Sequence, residues 1–174
     1  MTDQELKDLV ASLAVAQAEN EVQLKKMMAT VDSVGKQLGG IGRSQGAVAE
    51  EFFYNSLLAK PMLEGVAYQR VMHSMQIGSK KKQAEFDIVM VNGKSVAVIE
   101  VKYKVHEKDI DQVEKSLKAY RDFYPEHKNF DLYGGIAGFS ISPQVTQSAK
   151  DKGYFVLKRK GDVFTTDAKS MRAF

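Results

Sequence analysis

The sequence contains no cysteine, only three prolines in 174 residues, and no apolar run of bilayer-spanning length. The first absence excludes disulfides and thiolate metal sites and is compatible with a reducing interior. The second leaves long stretches free to be helical, and neither Gly nor Pro occurs between Met1 and Val34. The third argues against a membrane-spanning helix. The opening M-T-D-Q-E has no basic segment followed by an apolar run, so no signal peptide and a cytoplasmic location are expected. Charge of either sign is not in excess: the net value is +3, too small by itself to identify a nucleic-acid binder. The 44% hydrophobic content is that of a folded globular chain.

What is present begins with a heptad repeat. Leu6, Val10, Leu13, Gln17, Asn20, Leu24, Met27, Val31, Val34 and Leu38 alternate spacings of four and three without a slip. Residues 2 to about 38 are therefore predicted to form one helix of about 50 Å. Its seam, with Gln17 and Asn20 as register-fixing amides, points to a coiled-coil homo-oligomer; packing against the chain's own globular part is the alternative. Five glycines between Gly35 and Gly46 then predict a linker, dividing the chain into 1–38 and 39–174. They are not a phosphate-cradling loop, because no Gly-Lys-Ser/Thr follows and no strand precedes.

A second helix is expected from Ser44 or Gly46 to Ala59, stopped by Pro61, with Glu50 and Glu51 in its first turns. Val66 to Ile77 reads as a strand carrying a lone histidine, His73, either structural or substrate-facing. An amphipathic helix follows over Asp109–Tyr124, with the stripe Ile110, Val113, Leu117 and Tyr120. Phe130–Ile141 reads as an apolar strand whose glycines suggest a bulge or a close helix contact. Ser142-Pro143 opens a helix that Gly153 closes. Strands at 154–157 and 163–165 complete an α-β-β-β-α-β-α-β-β order, which implies a mixed sheet with helices on both faces.

The centre of this pattern is Phe86–Lys102, two apolar strands joined by Asn92-Gly93. A two-residue loop would set Asp87 opposite Val98 and diagonally beside Glu100, on the face that Glu100 shares with Lys102. Val96–Val101 is apolar on both faces, as in a strand covered on both sides. Charge there is costly unless paired or bound to a metal, so two carboxylates and an ammonium suggest a divalent-cation site. Charges carried into solvent at an edge strand are the competing explanation.

Gly46-Ala47-Val48-Ala49-Glu50, Asp87 in Phe86-Asp87-Ile88-Val89, and Glu100-Val101-Lys102 together resemble the PD-(D/E)XK nuclease superfamily, the restriction-endonuclease-like fold. The similarity is greatest to archaeal Holliday-junction resolvases and small uncharacterised nucleases. It covers about residues 44 to 105 in motif and extends to about 165 in element order, with Phe86 standing where the motif has proline. The resemblance implies an α/β fold, a mixed β-sheet flanked by helices, here preceded by the coiled-coil helix. It implies Mg²⁺ or Mn²⁺ held by Asp87, Glu100 and the Val101 carbonyl, with Glu50 as a further ligand, directly or through water. Its Gly-x-x-x-Glu spacing selects Glu50 over Glu51. Lys102 would orient or deprotonate the attacking water or steady the phosphate. Lys80, Lys81, Lys82 and Lys104 would contact phosphates, with Gln112 at the site's edge. The activity so implied is metal-dependent hydrolysis of DNA phosphodiester bonds in repair, recombination or restriction. Two alternatives stand beside it: a nuclease-fold module that binds without cleaving, and an assembly protein whose coiled coil is the function.

Overall fold

The computed structural model describes residues 3–79, 82–167 and 171–174. The chain divides into two units, Met1–Ser44 and Gln45–Phe174. Helix α1 runs Asp3–Ala59, so the glycine-rich segment expected as a linker is helical. Glycine costs about 1 kcal/mol in a helix interior but does not forbid one, whereas proline does, and α1 ends just before Pro61. Among the heptad positions with described side chains, Leu13, Leu24 and Met27 are exposed on the single chain. No helix among the described residues is long and apolar enough to cross a membrane.

The second unit is built on a six-stranded sheet. Its strands are β3 (Arg70–Ser79), β4 (Lys82–Val91), β5 (Ser95–Lys104), β6 (Asp131–Ser140), β7 (Phe155–Lys160) and β8 (Val163–Asp167), in that spatial order. The β3–β4–β5 and β7–β8 pairs are antiparallel; β5–β6–β7 are parallel. Parallel neighbours need crossovers, supplied by α2 (Glu107–Phe123) and α3 (Pro143–Asp151). A two-stranded hairpin, β1 (Met62–Leu63) and β2 (Val66–Ala67), precedes the sheet. The strand expected from Val66 is thus split, because the Glu64-Gly65 turn, both residues at positive φ, pairs Val66 back onto Leu63.

The hydrophobic pattern decides which face each helix covers. Ala49, Phe53 and Leu57 of α1 are fully buried in one layer with Ile88, Met90, Ala97, Ile99 and Val101. Ile110, Val113, Leu117 and Tyr120 of α2 form the other layer with Phe86, Val89, Val96, Val98 and Ile136. Every residue of β5 from Ser95 to Val101 is buried, as a strand covered on both faces requires.

Two local features set the site. The β4–β5 ladder pairs Val91 with Val96 and Ile88 with Ile99, two residues away from the register expected of a two-residue loop. The turn is longer because the Asn92 side-chain oxygen accepts from both Lys94 N–H (3.1 Å) and Ser95 N–H (2.7 Å). The even shift preserves which side chains share a face, and brings Asp87 level with Glu100. The second feature is Gly134 on β6. A Cβ there would stand 2.8 Å from Leu117 and 2.9 Å from Val113, so its absence lets α2 lie close against the sheet. Gly134→Val is expected to destabilise the protein by about 1–3 kcal/mol through overpacking, read as a lowered urea midpoint at unchanged m-value.

Candidate functional site

Glu100 is the least expected residue of the core: a carboxylate only 7% exposed, in the centre of the sheet. Its oxygens are satisfied by two neighbours. Lys102 Nζ donates to Oε1 at 2.6 Å, and Ser116 Oγ, on the α2 face packed against β5, donates to Oε2 at 3.3 Å. Lys102 Nζ also lies 3.6 Å from Asp87 Oδ2. That same Asp87 oxygen accepts the Val101 backbone N–H at 2.7 Å. β4 and β5 pair from Ile88↔Ile99 to Val91↔Val96, and beyond that ladder the Asp87 side chain takes up the Val101 donor. Asp87, Glu100 and Lys102 therefore converge where the two strands part.

The backbone of β3 contributes to this arrangement. Its ladder with β4 includes His73↔Ile88 and Met75↔Phe86 and passes over Ser74, which sits level with Asp87 and has φ +48. Side chains two apart on a strand normally share a face. Here Phe86 packs in the α2 layer, against Tyr120, while Ile88 packs in the α1 layer. The pleat is reset at Asp87, with Ser74 in the left-handed region across from it, a conformation that costs a non-glycine residue on the order of 1 kcal/mol. His73, neighbouring Ser74, stacks on Tyr54 of α1 at 4.1 Å between ring centroids and has its Nδ1 3.3 Å from the Ser74 hydroxyl.

Glu50 on α1 is half-buried, whereas Glu51 is exposed. Burial raises the Glu50 pKa above its ordinary value, the Asp87 charge raises it further, and Lys102 opposes these only in part. The Glu100 pKa is also raised, by burial first and then by Asp87, against the hydrogen bond and charge of Lys102. Burial alone would lower the Lys102 pKa, but the Glu100 hydrogen bond and the two carboxylate charges raise it overall. Three carboxylates thus share the field of one ammonium, an excess of negative charge in a partly dry site that suits a hard cation with oxygen ligands. Among the described residues, no group of three or more His, Cys, Asp or Glu side chains stands close enough to hold a metal ion as the side chains lie.

The remaining candidates fall elsewhere. Lys104 and Gln112 are exposed. Lys82 is ion-paired with Asp122 at 2.9 Å and lies over the Phe123 ring. Lys80 and Lys81 lie outside the described residues. Ser116 and Ser74 escaped the sequence reading. Ser116 carried a signal, as the one small polar residue on the buried stripe Val113–Leu117–Tyr120; Ser74 carried none, since positive φ in a strand has no side-chain signature.

Residues 45–150, which include Glu50, Asp87, Glu100 and Lys102, match the family described as "Domain of unknown function (DUF4143)". The chain belongs to the DUF4143 family. The DUF4143 match runs from the α1 segment that carries Glu50 to the end of α3. No curated protein sequence matches the chain. Among solved structures the chain is similar to a repair endonuclease from Pyrococcus abyssi, at 15% identity and a TM-score of 0.46 over 64% of this chain and 46% of that one. It is also similar to the protein of an EndoMS–dsDNA2 complex, at 10% identity and a TM-score of 0.47 over 64% and 44%. A third is the small subunit of the heterodimeric restriction endonuclease R.BspD6I, at 12% identity and a TM-score of 0.35 over 67% and 71%. The chain spans less than half the length of the first two.

The electrostatics make a prediction that needs no ligand. A carboxyl whose pKa is raised by folding adds stability below its unfolded value and loses it as pH rises through the folded value. Glu50→Gln removes that loss. The variant is expected to melt above the wild type at pH 7, with the difference closing as pH falls toward the ordinary value of 4.5, followed by thermal unfolding across that range.

Proposed function

We propose that the protein is a metal-dependent nuclease that hydrolyses DNA phosphodiester bonds. One observation carries the reading: Asp87 and Glu100 converge with Lys102 at the point where β4 and β5 part, in a field with more negative charge than the ammonium balances. Asp87 and Glu100 would hold Mg²⁺ or Mn²⁺, with the Val101 carbonyl and Glu50 completing the oxygen set, Glu50 directly or through water. A bound divalent cation would polarise the scissile phosphoryl oxygen and lower the pKa of the attacking water.

The chain's own groups do the positioning. Glu100 is fixed from two sides, by Lys102 and Ser116, so its carboxylate cannot swing away. Asp87 is fixed by the Val101 N–H. Lys102 bridges the two, and its raised pKa keeps it an ammonium at neutral pH. In that state it donates hydrogen bonds to water or to a phosphate oxygen and stabilises negative charge developing there. Phosphoryl oxygens attract the same cations, so the substrate is an anion drawn to a site of fixed geometry.

A second reading, a nuclease-fold module that binds without cleaving, draws on the closed Lys102–Glu100 pair and on the lack of three-acid metal geometry among the described residues. Cleavage separates the two. Supercoiled, linear, single-stranded and branched DNA with Mg²⁺ or Mn²⁺ are expected to include a substrate. EDTA should stop the reaction, and Asp87→Ala or Lys102→Ala should each reduce it by at least about 10²-fold. A wild type that cuts none of them, or variants that cut as well as it does, would leave the binding module.

The heptads of residues 2–38 supply the second part of the proposal, a homo-oligomer that presents more than one site to DNA. Leu13 and Leu24 are more than half exposed on the single chain, as a seam awaiting partner helices would be. Leu13→Lys with Leu24→Lys is expected to lower the solution mass to that of the monomer by sedimentation. An unchanged mass would place assembly elsewhere.

A further inference from the structure

Sheet register brings together cations that are far apart in sequence. The parallel ladders pair Lys102 on β5 with Gly138 on β6, and Gly138 with Lys158 on β7. Lys104 pairs with Ser140, and the same register carried on places Lys160 level with Ser140. Residues two apart on a strand share a face, so Lys102, Lys104, Lys158 and Lys160 all stand on one face of the sheet. It is the face where Val98, Ile136 and Val156 pack in the α2–α3 layer.

The middle strand itself puts no bulky side chain between the lysines. At Gly138 the side chains of Val105 and Ile141 pack over the strand, 2.5 and 3.2 Å from where a Cβ would stand, so the open passage lies one step on, at Ser140. Ser140 is small, exposed, and lines a groove of about 320 Å³ together with Lys104. Lys104 and Lys160 are exposed and Lys158 half-buried, and among the described residues none of the three has an ion-pair partner. One carboxylate, Glu107, lines the same groove. Adjacent strands lie about 4.8 Å apart and alternate residues about 6.7 Å, so the four lysines mark corners of roughly 7 by 10 Å on a rigid support.

We infer that this lysine row is a DNA backbone track that runs from Lys102 past Lys104 and across β6 at Ser140 to Lys160 and Lys158 on β7. The inference rests on the nuclease reading above and deepens it by naming the surface over which DNA leaves the site. A repeating phosphate backbone is the partner that matches regularly spaced cations on a sheet, and the row starts at the ammonium beside the two carboxylates. Contacts of this kind position the strand without reading its sequence.

The test is DNA binding by the full chain as a function of salt, without divalent cation so that nothing is cleaved, with cleavage measured separately. Lys158→Ala with Lys160→Ala should make the slope of log affinity against log salt shallower by about 1.4–1.8, since each lost phosphate contact removes about 0.7–0.9. Lys94→Ala, in the turn at the opposite end of β5, should leave the slope unchanged. A wild type that cleaves, with a double variant of unaltered salt slope, would overturn the track and keep the nuclease. Lysine-dependent binding without cleavage by the wild type would keep the track and overturn the nuclease. Absence of both binding and cleavage would overturn both. Competition by polyglutamate as effective as by DNA would show a general anion surface and overturn the track.

Discussion

A carboxylate buried in the middle of a sheet is the constraint on which the rest of this structure depends. Glu100 loses nearly all of its contact with water, and an ionised group in that position is costly unless its oxygens are occupied. Lys102 and Ser116 occupy them. The first is available because a strand returns to the same face every second residue. The second is available because α2 lies close to the sheet, and α2 lies close because Gly134 leaves room for Leu117 and Val113. A glycine on β6 and a serine on α2 thus support one carboxylate on β5. None of the three is near the others in sequence.

The parting of β4 from β5 follows the same logic. A central strand that stops pairing leaves backbone donors without partners, which is costly inside a protein. Asp87 removes that cost for Val101 and in doing so faces the gap. The price is a reset pleat, shared with Ser74 on β3. The distortion is confined to one pair of residues, and regular ladder pairing resumes on either side of it. Distortion of this kind at a non-glycine residue, beside the charged cluster, is what a site built to hold particular side chains looks like.

Much of this was legible in the sequence, and what was not has identifiable causes. The order of strands and helices followed from periodicity, caps and prolines, each of which acts within a few residues. Asp87, Glu100 and Lys102 could be grouped because side-chain alternation survives an even error in register; the two-residue error made at Asn92-Gly93 therefore did no harm to the grouping. A one-residue error would have destroyed it. The linker failed because five glycines lower helix propensity without forbidding a helix. Ser74 was invisible, since its backbone angle is imposed by tertiary pairing. The lysine row was invisible for another reason: Lys102 and Lys158 become neighbours only through the parallel ladders either side of β6, and sequence patterns do not encode the register of parallel strands joined by helices.

The charge balance links stability to chemistry. Glu50, Asp87 and Glu100 repel one another, and Lys102 offsets only part of that repulsion. In water such carboxylates would move apart or be screened. Here a buried strand, a backbone hydrogen bond and a packed helix prevent movement, and burial weakens screening. The repulsion is therefore already present in the folded protein before any ligand arrives. A cation entering the cluster would gain by relieving it, once the Lys102–Glu100 pair opened and the carboxylates closed the remaining distance. The same residues that reduce the stability of the fold at neutral pH are those that would make the site attractive to a hard cation. Glu50→Gln should accordingly shift stability and cation affinity in opposite directions, a relation expected of carboxylates crowded together by the fold and not of surface ion pairs, whose side chains relax freely when a partner is removed.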